Sequence, residues 1–416
     1  MNALAVWLIA AGIISGILFR PRQWPEAVWA CVGALLLIVL RLVSVPDALR
    51  AVAKGTDVYL FLTGMMLLSE LARREGVFDW LATQAVRKSN GSPVRLFTLV
   101  YLIGTAVTVF LSNDATAVVL TPAVYAAVKK GRAKPLPYLL ICAFIANAAS
   151  FVLPISNPAN LVVYGKQLPA LLPWVRLFVA PSLLSIAATY VVLRWLSRRD
   201  LRDRIEGDTP GVRLSRAGRH ALWGICASAA ILMTASGLEW DLGLPTCLAA
   251  MAVVLMSTRG QPVALAQIAR HVAWAVIPLV AGLFVLVEAL TGVGARLTIE
   301  NLLHRAIELP PSLGCLLASF GIAGLSNVMN NLPSGLLAGG AVQNTPLPDY
   351  ITHGVLIGVD IGPNLSVTGS LATILWLIAL RREGENVTAW QFLKVGILVM
   401  PPALLLASLA LVALTT

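Results

Sequence analysis

Apolar runs long enough to cross a bilayer recur from one end of this sequence to the other, and several are interrupted at their centres by polar residues and proline. A run of about 17–25 apolar residues reads as a transmembrane helix, because in hydrocarbon the backbone must satisfy its own hydrogen bonds. An interruption at that depth is tolerated only where protein buries the freed N–H and C=O groups or where they line a cavity. The clearest interruption lies in residues 355–375. The stretch starts apolar, turns polar through Asp360, Pro363, Asn364, Ser366, Thr368 and Ser370, and returns to an apolar run ending near Leu380. Pro363 removes a helix hydrogen bond, and Gly358, Gly362 and Gly369 weaken the helical preference further. Such a break, with its side chains, reads as half of a site for a polar solute.

Composition agrees. The 416 residues are 58% hydrophobic and 12% charged, with a mean hydropathy of +0.82. Soluble domains carry about twice that charged fraction. The net charge of +11 sits in short loops between apolar runs, which is positive-inside topology and not a nucleic-acid-binding face. The first run, Leu4 to Phe19, has no basic residue before it and no small-residue cleavage site, so it reads as a retained helix. The cysteines (Cys31, Cys142, Cys226, Cys247, Cys315) are scattered and form no C-x-x-C, so neither a disulfide framework nor a zinc site is expected. A thiol cluster assembled in space stays open. His220, His271, His304 and His353 are equally dispersed. No H-E-x-x-H, Walker A or G-x-S-x-G motif is present, and no enzyme, catalytic residue, cofactor or metal site is assigned.

In chain order the spans are 3–19, 25–45 and 57–73, then an amphipathic piece at 76–88. A long stretch at 93–130 is interrupted at Ser112-Asn113-Asp114. A broken span at 136–165 is interrupted at Pro154-Ile155-Ser156-Asn157-Pro158, and a plain span covers 172–196. A basic linker, 198–219, carries Arg198, Arg199, Arg202, Arg204, Arg213, Arg216 and Arg219. After it the order repeats: 221–238, 243–258, 271–293, a short piece at 295–308, and a long stretch at 311–342 interrupted at Ser326-Asn327 and Asn330-Asn331. The broken span 350–380 and a plain span 390–413 follow. Three motif pairs fall in the same order in both halves. Ser112-Asn113 matches Ser326-Asn327; Glu70 with Gly76-Val77 matches Glu288 with Gly292-Val293; Asn157-Pro158 matches Pro363-Asn364.

The expected fold is therefore an all-α polytopic membrane protein of about ten transmembrane helices plus two re-entrant hairpins. Residues 1–197 and 220–416 form two inverted repeats, joined by the cytoplasmic linker, with hairpins at about 93–130 and 311–342. The broken helices, 136–165 and 350–380, meet at the midplane, the plan of many secondary transporters. Arg87, Lys88, Lys129, Lys130, Arg132 and Lys134 place the ends of the first hairpin inside. Glu300, Glu308 and Asp349 suit the outside for the second, and Arg381 and Arg382 fall inside; Arg41, Arg50 and Lys54 fall outside, against the rule. The expected location is the inner (plasma) membrane, multi-pass.

Asn113 and Asp114 sit between Val109-Phe110-Leu111 and Val118-Val119-Leu120. A helix–helix hydrogen bond or a short surface loop explains them structurally, but an acid at bilayer depth is costly and reads as functional by default. Asp360 has the same standing. An acid shielded from water can exchange protons near neutral pH, which makes Asp114 and Asp360 the proton-coupling candidates. Ser156, Asn157 and Asn160 surround the first break; Asn327, Asn330, Asn331 and Ser334 line the second hairpin's tip. One Asn in a membrane helix is commonly packing glue worth about 1 kcal/mol. Seven in matched positions point further, and the substrate-binding candidates are Ser112, Asn113, Asn157, Asn160, Asn327, Asn330, Asn331, Asn364, Ser366 and Thr368. Amides and hydroxyls both donate and accept, which suits a neutral hydroxyl-bearing solute or a weakly solvated ion. No Lys or Arg lies in either tip or break, so an organic anion would need helix N-termini or bound sodium to offset its charge. Glu70 and Glu288, near span ends, are equally well explained by capping or snorkelling.

The run Gly362-Pro363…Gly369-Ser370-Leu371-Ala372-Thr373-Ile374-Leu375-Trp376-Leu377 resembles the signature of the arsenite efflux permeases, the arsenical pump membrane proteins of the ion transporter superfamily. Asn113-Asp114…Leu120-Thr121-Pro122 and Met329-Asn330-Asn331-Leu332-Pro333 resemble motifs of the same family. The resemblance runs the length of the chain. It implies export of arsenite and antimonite as the neutral trihydroxide in exchange for protons, and it allows a soluble ATPase subunit as partner. Relatives of the same plan carry dicarboxylates, citrate or sodium. The alternative is thus a sodium- or proton-coupled organic-anion transporter or a Na⁺/H⁺ antiporter. The expected partners are arsenite or antimonite, protons and membrane lipid, without nucleic acid; a homodimer is compatible with the sequence.

Overall fold

The computed structural model describes residues 2–19, 24–202, 205 and 213–416; Arg204 and the linker positions 203 and 206–212 lie outside the described residues. The chain is an all-α polytopic membrane protein, with no strand among the described residues. Among the described residues, five helices are long and apolar enough to cross a membrane singly. Seven do so if two bent pairs count as one span each: Val45–Lys54 with Thr56–Arg74, bent by 47°, and Pro262–His271 with Val276–Gly292, bent by 41°. The remaining apolar helices are shorter because the sequence breaks them. The 13 residues of Leu136–Ala148 rise only about 20 Å. A crossing there needs the piece beyond the break as well.

Polarity is arranged inside out relative to a soluble protein. Leu183, Val191, Leu248 and Met256 are exposed, while Asn147, Asn160, Asn364 and Asp360 are fully buried. Large exposed apolar side chains suit lipid, and polar groups withdrawn from lipid must find partners in the protein. Exposed Trp195 and Trp390 stand at helix ends, where an interfacial belt places them.

The stretches expected as hairpins and broken helices are each divided into separate helices at their polar interruptions, with sharper boundaries. Hairpin 1 runs up through Pro93–Phe110 and returns through Asn113–Ala115, a π-helical turn Thr116–Leu120 and Thr121–Lys130. Hairpin 2 pairs Pro311–Met329 with Asn331–Asn344, the single residue Asn330 forming its tip. Broken helix 1 joins Leu136–Ala148 to Pro158–Tyr164, and broken helix 2 joins Asp349–Ile361 to Leu371–Arg382. Ser326 and Asn327 are helical, in the last turn of Pro311–Met329, so the equivalent of Ser112-Asn113 at the tip is Asn330-Asn331. Likewise, Asn157 caps the second arm of broken helix 1 as Ser370 caps that of broken helix 2. The pairing of Asn157-Pro158 with Pro363-Asn364 is therefore displaced by several residues. Gly76 and Gly294 both adopt left-handed backbone, six residues after Glu70 and Glu288. Only glycine does so without strain, which explains why both helices restart there.

Packing is reciprocal between the two halves of the chain. Helix Thr56–Arg74 packs on Gly243–Thr258, and Val276–Gly292 packs on Glu26–Val39. Pro158–Tyr164 lies against the returning arm of hairpin 2, as Leu371–Arg382 lies against that of hairpin 1. The long helices Leu171–Leu196 and Ala389–Thr415 pack on each other. Each half thus supplies the wall that the other half's broken helix needs, and all four interrupted elements are drawn to one place.

Candidate functional site

At that place lies a narrow recess with room for about one water molecule. Asn113 and Asp114 reach it from hairpin 1, and Asn331 and Leu332 from hairpin 2. Asn157 and Pro158 come from broken helix 1, Leu371 and Ala372 from broken helix 2. Leu62 and Val276 close it from Thr56–Arg74 and Val276–Gly292. Every residue from the interrupted elements belongs to the first turn of a helix. The starts are built alike, each with a side-chain cap. Ser112 Oγ accepts from the Ala115 N–H (3.1 Å) and Asn157 Oδ1 from Ala159 (3.0 Å). Asn330 Oδ1 accepts from Leu332 (3.3 Å) and Ser370 Oγ from Thr373 (3.1 Å). Short polar residues at these positions satisfy otherwise orphaned N–H groups and stop the helix from continuing across the break.

Four helix N-termini facing one volume bring about +0.5 charge each, roughly +2 in all. The ionisable groups beside them are both acids. Asp114 is half-buried, and its carboxyl has no hydrogen-bond or ion-pair partner among the described residues. Asp360 is fully buried. Its Oδ1 accepts from Asn157 Nδ2 at 2.5 Å, while Oδ2 has no partner. Asn157 therefore touches both the recess and the buried acid. The Asn331 Oδ1 oxygen is also buried without a donor at the recess.

The other predicted site residues lie away from the recess. Asn364 ties the second break to the end of Leu136–Ala148: its Oδ1 accepts from Asn147 Nδ2 and its Nδ2 donates to the Phe144 carbonyl, both at 3.0 Å. Asn160 donates to the carbonyls of Ser150, Leu153 and Pro154, satisfying the loop of the first break. Asn327, Ser366 and Thr368 form a separate cluster at the second break. There Ser366 Oγ donates to Asn327 Oδ1 (2.6 Å) and Asn327 Nδ2 donates to the Gly362 carbonyl (2.8 Å). Asn330, at the tip itself, donates to the Thr368 carbonyl at 3.3 Å. Glu70 pairs with Arg73 (2.6 Å) and Glu288 with Lys54 (3.3 Å), both outside the recess.

Asn147 was not among the predicted residues. It precedes the first break by two positions and also donates to Thr373 Oγ1 at 3.3 Å. It holds the same penultimate helical position as Asp360. Its signal in the sequence was an amide inside the apolar run Ile145-Ala146-Asn147-Ala148, next to the break and not in it. No group of three or more His, Cys, Asp or Glu able to hold a metal exists among the described residues.

The citrate transporter family model matches residues 6–354. The chain belongs to that family. It is 26% identical over 95% of both chains to an arsenical pump membrane protein of Escherichia coli. It is 24% identical to a putative arsenical pump membrane protein of Bacillus subtilis, over 92% of this chain and 93% of the relative. Among solved structures it is similar to the YdaH transporter of Alcanivorax borkumensis, described as having an unusual topology. The TM-score is 0.58 at 15% identity, covering 93% of this chain and 97% of that one, a likeness of fold. The family resemblance carried by the G-S-L-A-T-I-L-W run, the Asn113-Asp114 motif and the M-N-N-x-P tip extends over 95% of the chain. This is a membrane transporter and not an enzyme.

Proposed function

We propose that the chain exports arsenite and antimonite, as the neutral trihydroxide, across the inner membrane in exchange for protons. The observation that carries this reading is the charge balance of the recess. Roughly +2 from four helix N-termini faces two carboxyls, so with both ionised the sum is near zero and a neutral cargo suits it. Asn113, Asn157 and Asn331 offer donors and acceptors to three hydroxyl groups, while Leu62, Val276, Leu332 and Leu371 supply apolar walls. None of the five thiols lines the recess, in keeping with binding weak enough for release. A recess for one water is too small for the trihydroxide, so loading requires the four helix starts to part. Asp114 and Asp360 carry the counter-protons: Asp114 touches the cargo volume directly and Asp360 is linked to it through Asn157. Asn160, Asn327, Asn364, Ser366 and Thr368 hold the breaks in shape for this site. The reciprocal packing of the two halves supports inverted repeats, 1–197 and 220–416, joined by a cytoplasmic basic linker. Relatives named as arsenical pump membrane proteins support the substrate.

The match to the citrate transporter family favours a second reading, an organic anion carried with sodium or protons. The four N-termini could hold a carboxylate once the acids are protonated. Arsenite uptake into everted vesicles bearing the protein, without ATP and with an acid interior, separates the two. Uptake abolished by a protonophore supports the antiporter. Absence of arsenite uptake, with citrate or sodium moving instead, would keep the fold and discard the substrate.

A further inference from the structure

The buried acid of broken helix 2 is joined to the surface by a line of titratable side chains that the cargo site does not use. Asp349, His353 and Asp360 all lie on helix Asp349–Ile361. At 100° per residue, His353 is turned about 40° from Asp349 and Asp360 about 20°, so the three share one face. Asp349 is exposed in the first turn, His353 is only 6% accessible, and Asp360 is fully buried. The eleven residues from Asp349 to Asp360 rise about 16 Å, roughly half the hydrocarbon thickness of a bilayer.

A second helix runs antiparallel beside this face. Asn157 at the start of Pro158–Tyr164 meets Asp360, and Tyr164 at its end meets His353, its hydroxyl 2.5 Å from Nδ1. Seven residues separate the contacts on each strand of this pair, two helical turns in both cases. The ring of Phe178 is centred 5.4 Å from the imidazole. On the two facing helices, two buried oxygens lack a hydrogen-bond donor: Asn160 Oδ1 and Asp360 Oδ2. Polar orphans of this kind are where a bound water completes a hydrogen-bonded chain.

We propose that His353 and Tyr164 form the proton route between the membrane surface at Asp349 and the buried carboxyl of Asp360. This rests on the proton coupling proposed above. Imidazole and hydroxyl each accept a proton on one side as they release one on the other, so the route carries protons with no net change in either group. The Asn157 contact occupies Oδ1 of Asp360 and leaves Oδ2 without a protein partner to receive the proton. The direction matches charge-based topology, in which Asp349 faces outside, where protons enter in exchange for exported cargo. Burial of a His–Tyr pair among Trp174 and Phe178 is otherwise an expensive way to fill an aromatic cluster.

The test uses the full chain in proteoliposomes carrying a pH-sensitive dye. It compares arsenite-driven proton movement with arsenite counterflow, an exchange of labelled for unlabelled arsenite that needs no net proton transfer. His353→Gln and Tyr164→Phe should each slow proton movement at least tenfold while leaving counterflow within twofold of the parent. Phe178→Leu, which loosens the same cluster without touching a titratable group, should leave both unchanged. Proton movement retained in both His353→Gln and Tyr164→Phe overturns the route and leaves the antiporter standing. Equal loss of counterflow and proton movement in those variants, or a matching loss in Phe178→Leu, assigns the pair a packing role and also overturns it. If the parent moves no protons with arsenite, the coupling reading fails and the route fails with it.

Discussion

Two glycines one helical turn apart on the returning arm of hairpin 2 should respond to alanine in opposite directions. A Cβ on Gly339 would stand 2.7 Å from the Val163 carbonyl oxygen and 2.8 Å from that of Val162. Ordinary contact begins near 3.4 Å, so the arm of broken helix 1 would have to retreat by 3.4 − 2.7, or 0.7 Å. These are backbone atoms, which no rotamer change can move aside. Overpacking of this size costs about 1–3 kcal/mol, and the better helix propensity of alanine returns up to about 1 kcal/mol. The expected net loss is about 1–2 kcal/mol for Gly339→Ala, with transport impaired, since the displaced arm begins at Asn157. A Cβ on Gly335 would meet only Val163, Val359 and Val162 side chains, at 3.5, 3.6 and 3.7 Å. Gly335→Ala should therefore be neutral or stabilising by up to about 1 kcal/mol. Thermal melting of the purified protein in detergent, read by the fraction remaining monodisperse, measures both. Equal shifts of the same sign would refute the claim that backbone contact at Gly339 sets the spacing of these helices.

Other outcomes follow from the same geometry. Asn157→Ala leaves the fully buried Asp360 without its donor and should destabilise by about 1–3 kcal/mol, whereas Asn157→Ala on an Asp360→Leu background should cost less; additivity of the two would remove the pair as an interaction. Asn330 sits at φ 77 and ψ 152, a region suited to glycine, so Asn330→Gly should melt above Asn330→Ala by about 1–3 kcal/mol even though both lose the cap. Asp114→Asn should abolish proton-driven arsenite uptake while sparing counterflow; full proton-driven uptake in that variant would exclude Asp114 as a coupling acid. Thr388→Ala breaks a capping box at the start of the last helix and should cost about 1 kcal/mol with no effect on transport, a control for stability alone.

Much of this molecule was legible in the sequence. The recurrence of apolar runs dictates a helical membrane protein, because no other use of such runs satisfies the backbone in hydrocarbon. Proline, glycine and short polar residues inside those runs marked the two breaks and the two hairpins, and the capping chemistry of Ser112, Asn157, Asn330 and Ser370 explains why the chain stops and restarts there. Asn113 and Asp114 were identified from their depth, Asn157 and Asn331 from their matched places at a break and a hairpin tip, and the four meet at one recess. What the sequence could not decide is which polar residues near a break face the cargo volume and which repair the break itself. Asn113 and Asn364 look alike in sequence, yet one lines the recess and the other ties two helices together. The difference depends on helical phase and on the partner half, which lies some two hundred residues away. The Tyr164–His353 pair, separated by 189 residues, exists only because the two halves pack reciprocally. Local hydrogen-bonding needs are written along the chain; the assignment of each satisfied group to scaffold or to site is made by tertiary packing.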